Sequence, residues 1–368
     1  MILRLETRQA PSRLMTLLSP LAALVVTVAV ASVLFVSLGT DPVRALEVFL
    51  LGPFTSLRQV GELALKATPL ILISLGLALC FRTNVWNIGA EGQYLFGAIG
   101  GGGLAMWVTT HELPVTPWVF FPFVLVAGAL AGAAWAAVVA WLKDRFHANE
   151  ILVSLMLVYV ANLFLTWLVF GPWRDPKGWR FPQTVSFAYE TKIPVFVRGI
   201  RAHWGFALAL ALAVVLWLFL HRTFKGLQLQ VGGPAPAAAR YAGFSARAAL
   251  WTTMLVSGAL AGVAGALETV GPNGQLTQHA SVRYGFTAII VAFVGRLDPL
   301  GCVLASFVLS TFLVGGEMAQ SRVQMPATLT FVFQGVLLLA MLAFDTFIHH
   351  RLRWAGGARA EQGERRAA

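Results

Sequence analysis

Ten apolar runs divide this 368-residue chain, near residues 15–39, 63–81, 93–110, 117–142, 151–171, 204–221, 249–270, 284–296, 299–316 and 326–347. A helix crosses the hydrocarbon core of a bilayer with about 20 apolar residues, and eight of the runs reach that length. The two that flank Arg296-Leu297-Asp298-Pro299 are shorter. They fit either two short spans or a broken, re-entrant pair, which a membrane tolerates where protein covers the freed backbone. The pattern therefore specifies an all-α polytopic membrane protein of about ten transmembrane helices, some short or broken. Composition agrees. Only 12% of residues are charged, about half of the ~25% that a water-facing surface demands, while 58% are hydrophobic and the mean hydropathy is +0.74.

Ten spans put both termini on one side. Sixteen of the 27 Lys and Arg residues fall on that side, in the N-terminal segment, around Lys143 and Arg145, between Arg222 and Arg247, at Arg82 and Arg296, and in the tail from Arg351. The positive-inside rule makes it the cytoplasm. Residues 1–14 then form a cytoplasmic N-terminal segment, 15–347 the transmembrane domain, and 348–368 a basic cytoplasmic tail. Loop 172–203 lies outside the cell and loop 222–248 inside. The expected location is the inner (plasma) membrane of a bacterial cell. The first run, from Met15 to Leu38, is too long for a secretory signal and lacks a small-residue cleavage site, so it reads as an uncleaved span. The net charge of +11 is spread over short inter-span segments rather than gathered on one polar face, which argues against nucleic-acid binding. Cys80 and Cys302 lie inside apolar runs and read as small core residues. No metal or cofactor is implied.

Small residues crowd several runs, among them Gly97, Gly100 to Gly103, Gly128, Gly132, Gly258, Gly262 and Gly265. Gly258-Ala-Leu-Ala-Gly262 is a GxxxG pattern, which lets helix backbones approach closely. It signals a compact bundle and says nothing of what crosses it.

Three polar segments interrupt the apolar chain. Arg82-Thr-Asn84-Val-Trp-Asn87-Ile-Gly-Ala-Glu91-Gly-Gln93 joins two runs. An unwound backbone lining a pathway and a capped cytoplasmic turn both fit it. In the first case Glu91 must be paired or must face water, because ionisable groups in a membrane are costly. His147-Ala-Asn149-Glu150-Ile-Leu-Val-Ser154 opens the fifth run. There Asn149 caps a helix and Glu150 suits its dipole, while Ser154 and the deeper Asn162 are polar candidates. The third segment runs from Gly232 to Arg247. Pro236 begins and Gly243 ends a short Ala-rich helix, too apolar for a solvated loop and in need of a partner groove. Glu268, near the outer end of the seventh run, is the lone acid of most interest. The candidate pathway residues are thus Asn84, Asn87, Glu91, Gln93, Asn149, Ser154, Asn162 and Glu268. In loop 172–203, Trp173, Trp179, Phe181 and Tyr189 suit either a contact with a binding protein or an interfacial aromatic belt. Trp86, Tyr94, Trp135 and Tyr159 suit either stacking on a flat ring or ordinary packing.

Four motifs in register carry a resemblance to a known family: Asn87-Ile-Gly-Ala-Glu-Gly-Gln93, Ala148-Asn-Glu-Ile-Leu-Val-Ser-Leu-Met-Leu157, Ala238-Ala-Arg-Tyr-Ala-Gly243 and Val294-Gly-Arg-Leu-Asp-Pro-Leu-Gly301. Over residues 60–345 the chain resembles the inner-membrane permeases of ABC importers for simple sugars, branched-chain amino acids and nucleosides, and looks most like the nucleoside (purine) branch. The resemblance implies import by alternating access, with partners in ATP-binding cassette subunits, a second permease subunit (a related chain or a second copy) and an extracytoplasmic substrate-binding protein. It also implies that Pro236, Ala238, Ala239, Arg240, Tyr241 and Gly243 belong to a coupling helix that docks on the ATPase. Ala235 departs from the family's pattern, which has Asn there to cap the helix. The chain carries no G-x-x-x-x-G-K-[ST] phosphate cradle, so ATP hydrolysis falls to partners and no enzymatic activity is expected here. An ABC permease for sugars is the alternative cargo. An ion-coupled secondary transporter is the rival mechanism; it calls for repeats and intramembrane charges that the sequence does not clearly display.

Overall fold

The computed structural model describes residues 2–8, 12–178, 181–196, 199–278, 280 and 283–355. They form two compact units: Leu50–Gly315, and Met1–Phe49 with Gly316–Ala368.

The larger unit is built from α3 (Leu57–Arg82), α4 (Ala90–Thr110), α5 (Pro117–Phe146), α6 (Glu150–Phe170), α7 (Trp204–Arg222), α8 (Phe224–Gly232), α9 (Pro236–Tyr241), α10 (Ala246–Glu268), α11 (Tyr284–Val294) and most of α12 (Pro299–Val323). The smaller unit holds α1 (Arg13–Ser37), α2 (Pro42–Leu46), the end of α12 from Gly316, and α13 (Thr328–His349). Among the described residues eight helices are long and apolar enough to cross a membrane. The other two of the ten expected are α4, with 21 residues but diluted by glycine, and α11, with only 11. At about 1.5 Å per residue α11 is about 16 Å long, half of the ~30 Å hydrocarbon thickness. The sequence left two readings open between residues 284 and 316. The structure makes the first of the pair a half-span and the second, α12, a full-length helix of 25 residues.

The centre of the bundle is α3, with 89% of its apolar window buried although it carries Lys66 and is less apolar than α5, α6 and α7. Ser56 caps it by accepting from Gln59 N, and the helix runs unbroken through Pro69. Helices α5, α6 and α7 bury a third or less of theirs and present Leu, Val and Phe outward, as lipid-facing helices do.

Helix α10 lies against α3, α4 and α5, and glycine permits it. A Cβ on Gly262 would fall 2.1 Å from Gly128 O, one on Gly97 2.1 Å from Gly262 O, and one on Gly132 2.2 Å from Gly258 O. The GxxxG pattern of α10 is thus a seam where three backbones meet. Such contacts replace the hydrophobic driving force that lipid removes.

The α4 end of the unit is closed by loop 171–203 folded over the end of α10. Thr184 N donates to Leu276 O at 3.0 Å, Phe187 N to Gly274 O at 2.8 Å and Ala188 N to Thr109 Oγ1 at 3.1 Å. Trp173 packs beneath Gly103 of α4, while Phe181 and Tyr189 are exposed; Trp179 lies outside the described residues. His203 caps α7, its Nδ1 accepting from Gly205 N at 3.1 Å. Burial pushes its pKa down to about 4, which keeps the ring neutral and Nδ1 free to accept.

In the smaller unit α1 packs on α13, with Phe35 and Phe49 edge-on to Phe333 at 5.6 and 5.4 Å between ring centres. Ser19 Oγ donates to Asp345 Oδ1 at 2.6 Å. The chain ends add something that the sequence reading did not foresee: β1 (Ile2–Thr7) pairs antiparallel with β2 (His350–Ala355), and Arg351 meets Glu6 at 3.1 Å.

The seam makes a sharp prediction. Gly262→Val forces a side chain into backbone and should cost several kcal/mol, above the ~1–3 kcal/mol usual for overpacking, whereas Gly335→Ala meets nothing within 4 Å and should be neutral. Thermal unfolding of the purified protein in detergent would read both; equal midpoints would mean that the seam is not close-packed.

Candidate functional site

Inside the larger unit the chain stops being helical where the sequence is polar. Residues 83–89 join α3 to α4 without helix or strand, with Asn84 in the left-handed region at φ 57°. Asn87 and Gln93 are fully buried and satisfy each other: Asn87 Nδ2 donates to Gln93 Oε1 at 3.0 Å, and Gln93 Nε2 donates back to Asn87 Oδ1 at 3.1 Å. Asn87 Nδ2 also reaches Ser257 Oγ on α10 at 3.0 Å, and Asn87 Oδ1 accepts from Gly89 N at 3.1 Å. Ser154 of α6, fully buried, accepts from Ile88 N at 3.2 Å. The unwound segment is thereby stitched to α6 and α10, as buried backbone and amides require.

The second part of this polar centre forms at the start of α11. Glu91, in the first turn of α4, accepts from Gly285 N at 2.6 Å. The two backbones touch: a Cβ on Gly285 would fall 2.3 Å from Glu91 N. The carboxylate thus sits at two helix N-termini at once, where amide dipoles favour negative charge. Tyr284 donates to Glu268 Oε1 at 3.5 Å and has the Lys66 ammonium 5.9 Å from its ring centre. Tyr94 lies 5.9 Å from the Tyr284 ring centre, and its hydroxyl donates to Ala280 O at 3.3 Å. Lys66, Glu91 and Glu268 therefore converge on the first two residues of α11. Glu91 and Glu268 are both only 5% exposed. Ionisable groups at such depth are rare without a functional role.

The remaining candidates lie elsewhere. Asn149 caps α6, accepting from Ile151 N at 2.9 Å, and Lys143 pairs with Glu150. Asn84 and Asn149 join Pro236, Ala239, Arg240 and Gly243 in the lining of a cavity of about 1200 Å³, bounded by residues 83–85 after α3, the α5–α6 connection, Phe219 of α7, α8, α9 and α10. Helix α9 begins at Pro236 with Ala235 at its N-cap and no side-chain cap, the consequence of lacking Asn there. Gly243 at φ 79° ends it, with Gly243 N donating to Arg240 O at 3.0 Å. Pro236, Ala238, Arg240, Tyr241 and Gly243 are exposed and Ala239 is buried. A second helix in this loop, α8, goes beyond the single short helix expected. Asn162 lies on the exposed face of α6 with Tyr159 and joins neither cluster. Of the aromatics, Trp135 stacks on Phe96 at 3.7 Å, Tyr94 is buried, and Trp86 is partly exposed.

Sequence reasoning passed over Lys66 and Tyr284. The signal for Lys66 is present, a cation at the tenth residue of the 26-residue helix α3, inside the apolar run 63–81. Tyr284 carries no sequence signal; the fold alone brings it to Glu268. Among the described residues no group of three His, Cys, Asp or Glu side chains could hold a metal.

A bundle of membrane-spanning helices with an interrupted pair meeting at a buried ionic centre, and a short exposed helix at one end, defines a multi-pass membrane transport permease. The chain belongs to the family described as branched-chain amino acid transport system permease component, which it matches over residues 59–342. It is 30% identical over 360 residues to the glucose ABC transporter permease protein of Haloferax volcanii, covering 95% of this chain and 93% of that one. It is also 30% identical over 331 residues to the guanosine ABC transporter permease protein of Bacillus subtilis, covering 89% and 93%. To the nucleoside ABC transporter permease protein NupB of Lactococcus lactis it is 26% identical over 311 residues, covering 81% and 83%. No solved structure gives a significant match.

The amide pair yields a test of how the unwound segment is held. Asn87→Ala leaves Gln93 buried without its reciprocal partner, a loss of about 1–3 kcal/mol, whereas Asn162→Ala, on an exposed face, should cost little. A comparable drop in detergent unfolding midpoint for the two would contradict the buried pairing.

Proposed function

We propose that this permease imports nucleosides or related small solutes across the inner (plasma) membrane by alternating access, as the membrane subunit of an ATP-driven importer with both termini in the cytoplasm. In this reading its partners are ATP-binding cassette subunits, a second permease (a related chain or a second copy) and an extracytoplasmic binding protein. The observation that carries the cargo is the similarity to the guanosine permease, 30% over 89% of the chain, which spans both polar clusters. Sugars are the second reading, favoured by equal identity to the glucose permease over 95% of the chain.

The geometry supports a division of roles. Helix α9 is the coupling helix: a six-residue element that offers Tyr241, 97% exposed, with Arg240 beside it, to a groove on the ATPase. Asn87, Gln93, Ser154, Glu91 and Glu268 form the polar core of the pathway. Asn84 and Asn149 stand at its cytoplasmic mouth, in the cavity beside α9. Asn162 sits on an outward face of α6 that suits the second permease, because a polar amide is poorly placed against lipid. Closure of the ATPases moves α9, and the bundle changes which side is open.

Uptake of radiolabelled nucleosides and sugars is to be compared in cells with and without this chain, its chromosomal neighbours being present. The expected outcome is loss of nucleoside uptake with glucose uptake unchanged, and the same loss, at least about tenfold, for Gly243→Val with the protein still inserted. Loss of sugar uptake alone would favour the second reading; full nucleoside uptake by Gly243→Val would remove the coupling role of α9.

A further inference from the structure

Asp298 occupies the turn between α11 and α12, and the elements that lead to both clusters meet there. Its Oδ1 lies 3.6 Å from Nη2 of Arg82, the last residue of α3, and 3.9 Å from Nε2 of His221, near the end of α7. Its Oδ2 accepts from Leu300 N at 3.1 Å and from Gly301 N at 3.3 Å, so the same carboxylate caps α12. The turn is tight. Arg296 and Leu297 both adopt φ 57°, a conformation L residues resist, and Leu297 N donates to Ala292 O at 2.8 Å and Asp298 N to Gly295 O at 3.1 Å. A turn closed this way transmits displacement instead of absorbing it.

From Arg82 one path leads to the α8–α9 loop. A Cβ on Gly233 would fall 2.0 Å from Arg82 O, so the backbone just before α9 rests on the end of α3. Helix α7 enters α8 directly through Thr223, which caps α8, two residues after His221. The other path leads inward. Phe81, beside Arg82, stacks on Phe293 of α11 at 5.3 Å, and the far end of α11 carries Tyr284 and Gly285, the residues bonded to Glu268 and Glu91.

We propose that Asp298 is a positioning residue of the transport cycle: through Arg82 and His221 it ties the half-span α11 to the helix ends that carry the α8–α9 loop, so that displacement of the loop reaches the ionic centre at Glu91, Glu268 and Lys66. The inference rests on the reading of α9 as the coupling helix. The side chains of Asp298, Arg82 and His221 are 32%, 20% and 35% exposed, and ion pairs this hydrated add little to stability. In the proposal their contribution is directional, and α11 is the element whose position they couple to the loop.

The test uses the whole importer purified with its ATP-hydrolysing partners in lipid nanodiscs, Cys80 and Cys302 replaced by Ala. Ile290→Cys places a thiol on α11 at a half-buried position, and maleimide labelling is timed without nucleotide and after vanadate trapping with ATP. ATP should change the labelling rate by at least about threefold, while Asp298→Asn and Arg82→Gln should each reduce that change to under about 1.5-fold with ATP hydrolysis kept within about twofold. Asp298→Glu, which keeps both the charge and the acceptor oxygens that cap α12, should retain at least half of the response that Asp298→Asn loses, a rescue that a merely structural loss does not permit. A full response in Asp298→Asn overturns the proposal, as does failure of Asp298→Glu to recover it or parallel loss of hydrolysis and labelling. A complex that hydrolyses ATP with no change at position 290 also overturns it. A chain that retains no ATPase through purification overturns the coupling reading beneath it, a distinguishable failure.

Discussion

A helix that ends inside a membrane protein leaves N–H groups with no water to bind, and this chain begins two helices, α4 and α11, in its interior. The start of α11 finds a partner in α4, and Gly89 at the start of α4 finds one in Asn87. Glu91 belongs to the first turn of α4 and accepts from the first turn of α11 at 2.6 Å, and the missing side chain of Gly285 allows the two backbones to touch. Without that carboxylate the buried Gly285 N–H would lose its acceptor. This bond joins the start of α4 to the start of α11, while Asn87, Gln93, Ser154 and Ser257 hold the unwound segment that precedes α4.

The glycine seam of α10 is the counterpart of that interaction. Polar contacts in the interior are specific only if the helices that carry them are held in register, and lipid supplies no hydrophobic force between helices. Backbone contact at Gly97, Gly128, Gly132 and Gly262 supplies it through packing. Ser257 lies one residue before the first glycine of the seam, so the contact that seats α10 also delivers Ser257 to Asn87. Close packing and the polar network are a single construction.

Much of this was legible in the sequence, and the gaps have physical causes. Apolar length revealed the spans, because a bilayer imposes a minimum on them, and proline and glycine marked the bounds of α9. The Asn149 cap followed from a polar residue set where an apolar run begins, and the unwound stretch before Gly89 was one of two readings that its polar residues left open. What failed to show were contacts between elements distant in sequence. Lys66 was hidden because a window that averages hydropathy absorbs one cation in a long apolar helix. Tyr284 meeting Glu268 and Asp298 meeting both Arg82 and His221 are products of tertiary packing, and the pairing of the chain ends as β1 and β2 depends on a partner strand more than 340 residues away.

The central claim, that this permease is moved by ATP and not by an ion gradient, is tested most directly by energising transport in two ways. Membrane vesicles containing the assembled importer are loaded with ATP or with a non-hydrolysable analogue, and labelled nucleoside uptake is followed with and without a protonophore. The account expects uptake with ATP that is insensitive to the protonophore, and none with the analogue. Uptake that persists with the analogue and collapses with the protonophore would contradict it and would make the centre formed by half-buried Lys66 and buried Glu91 and Glu268 an ion-coupling site instead.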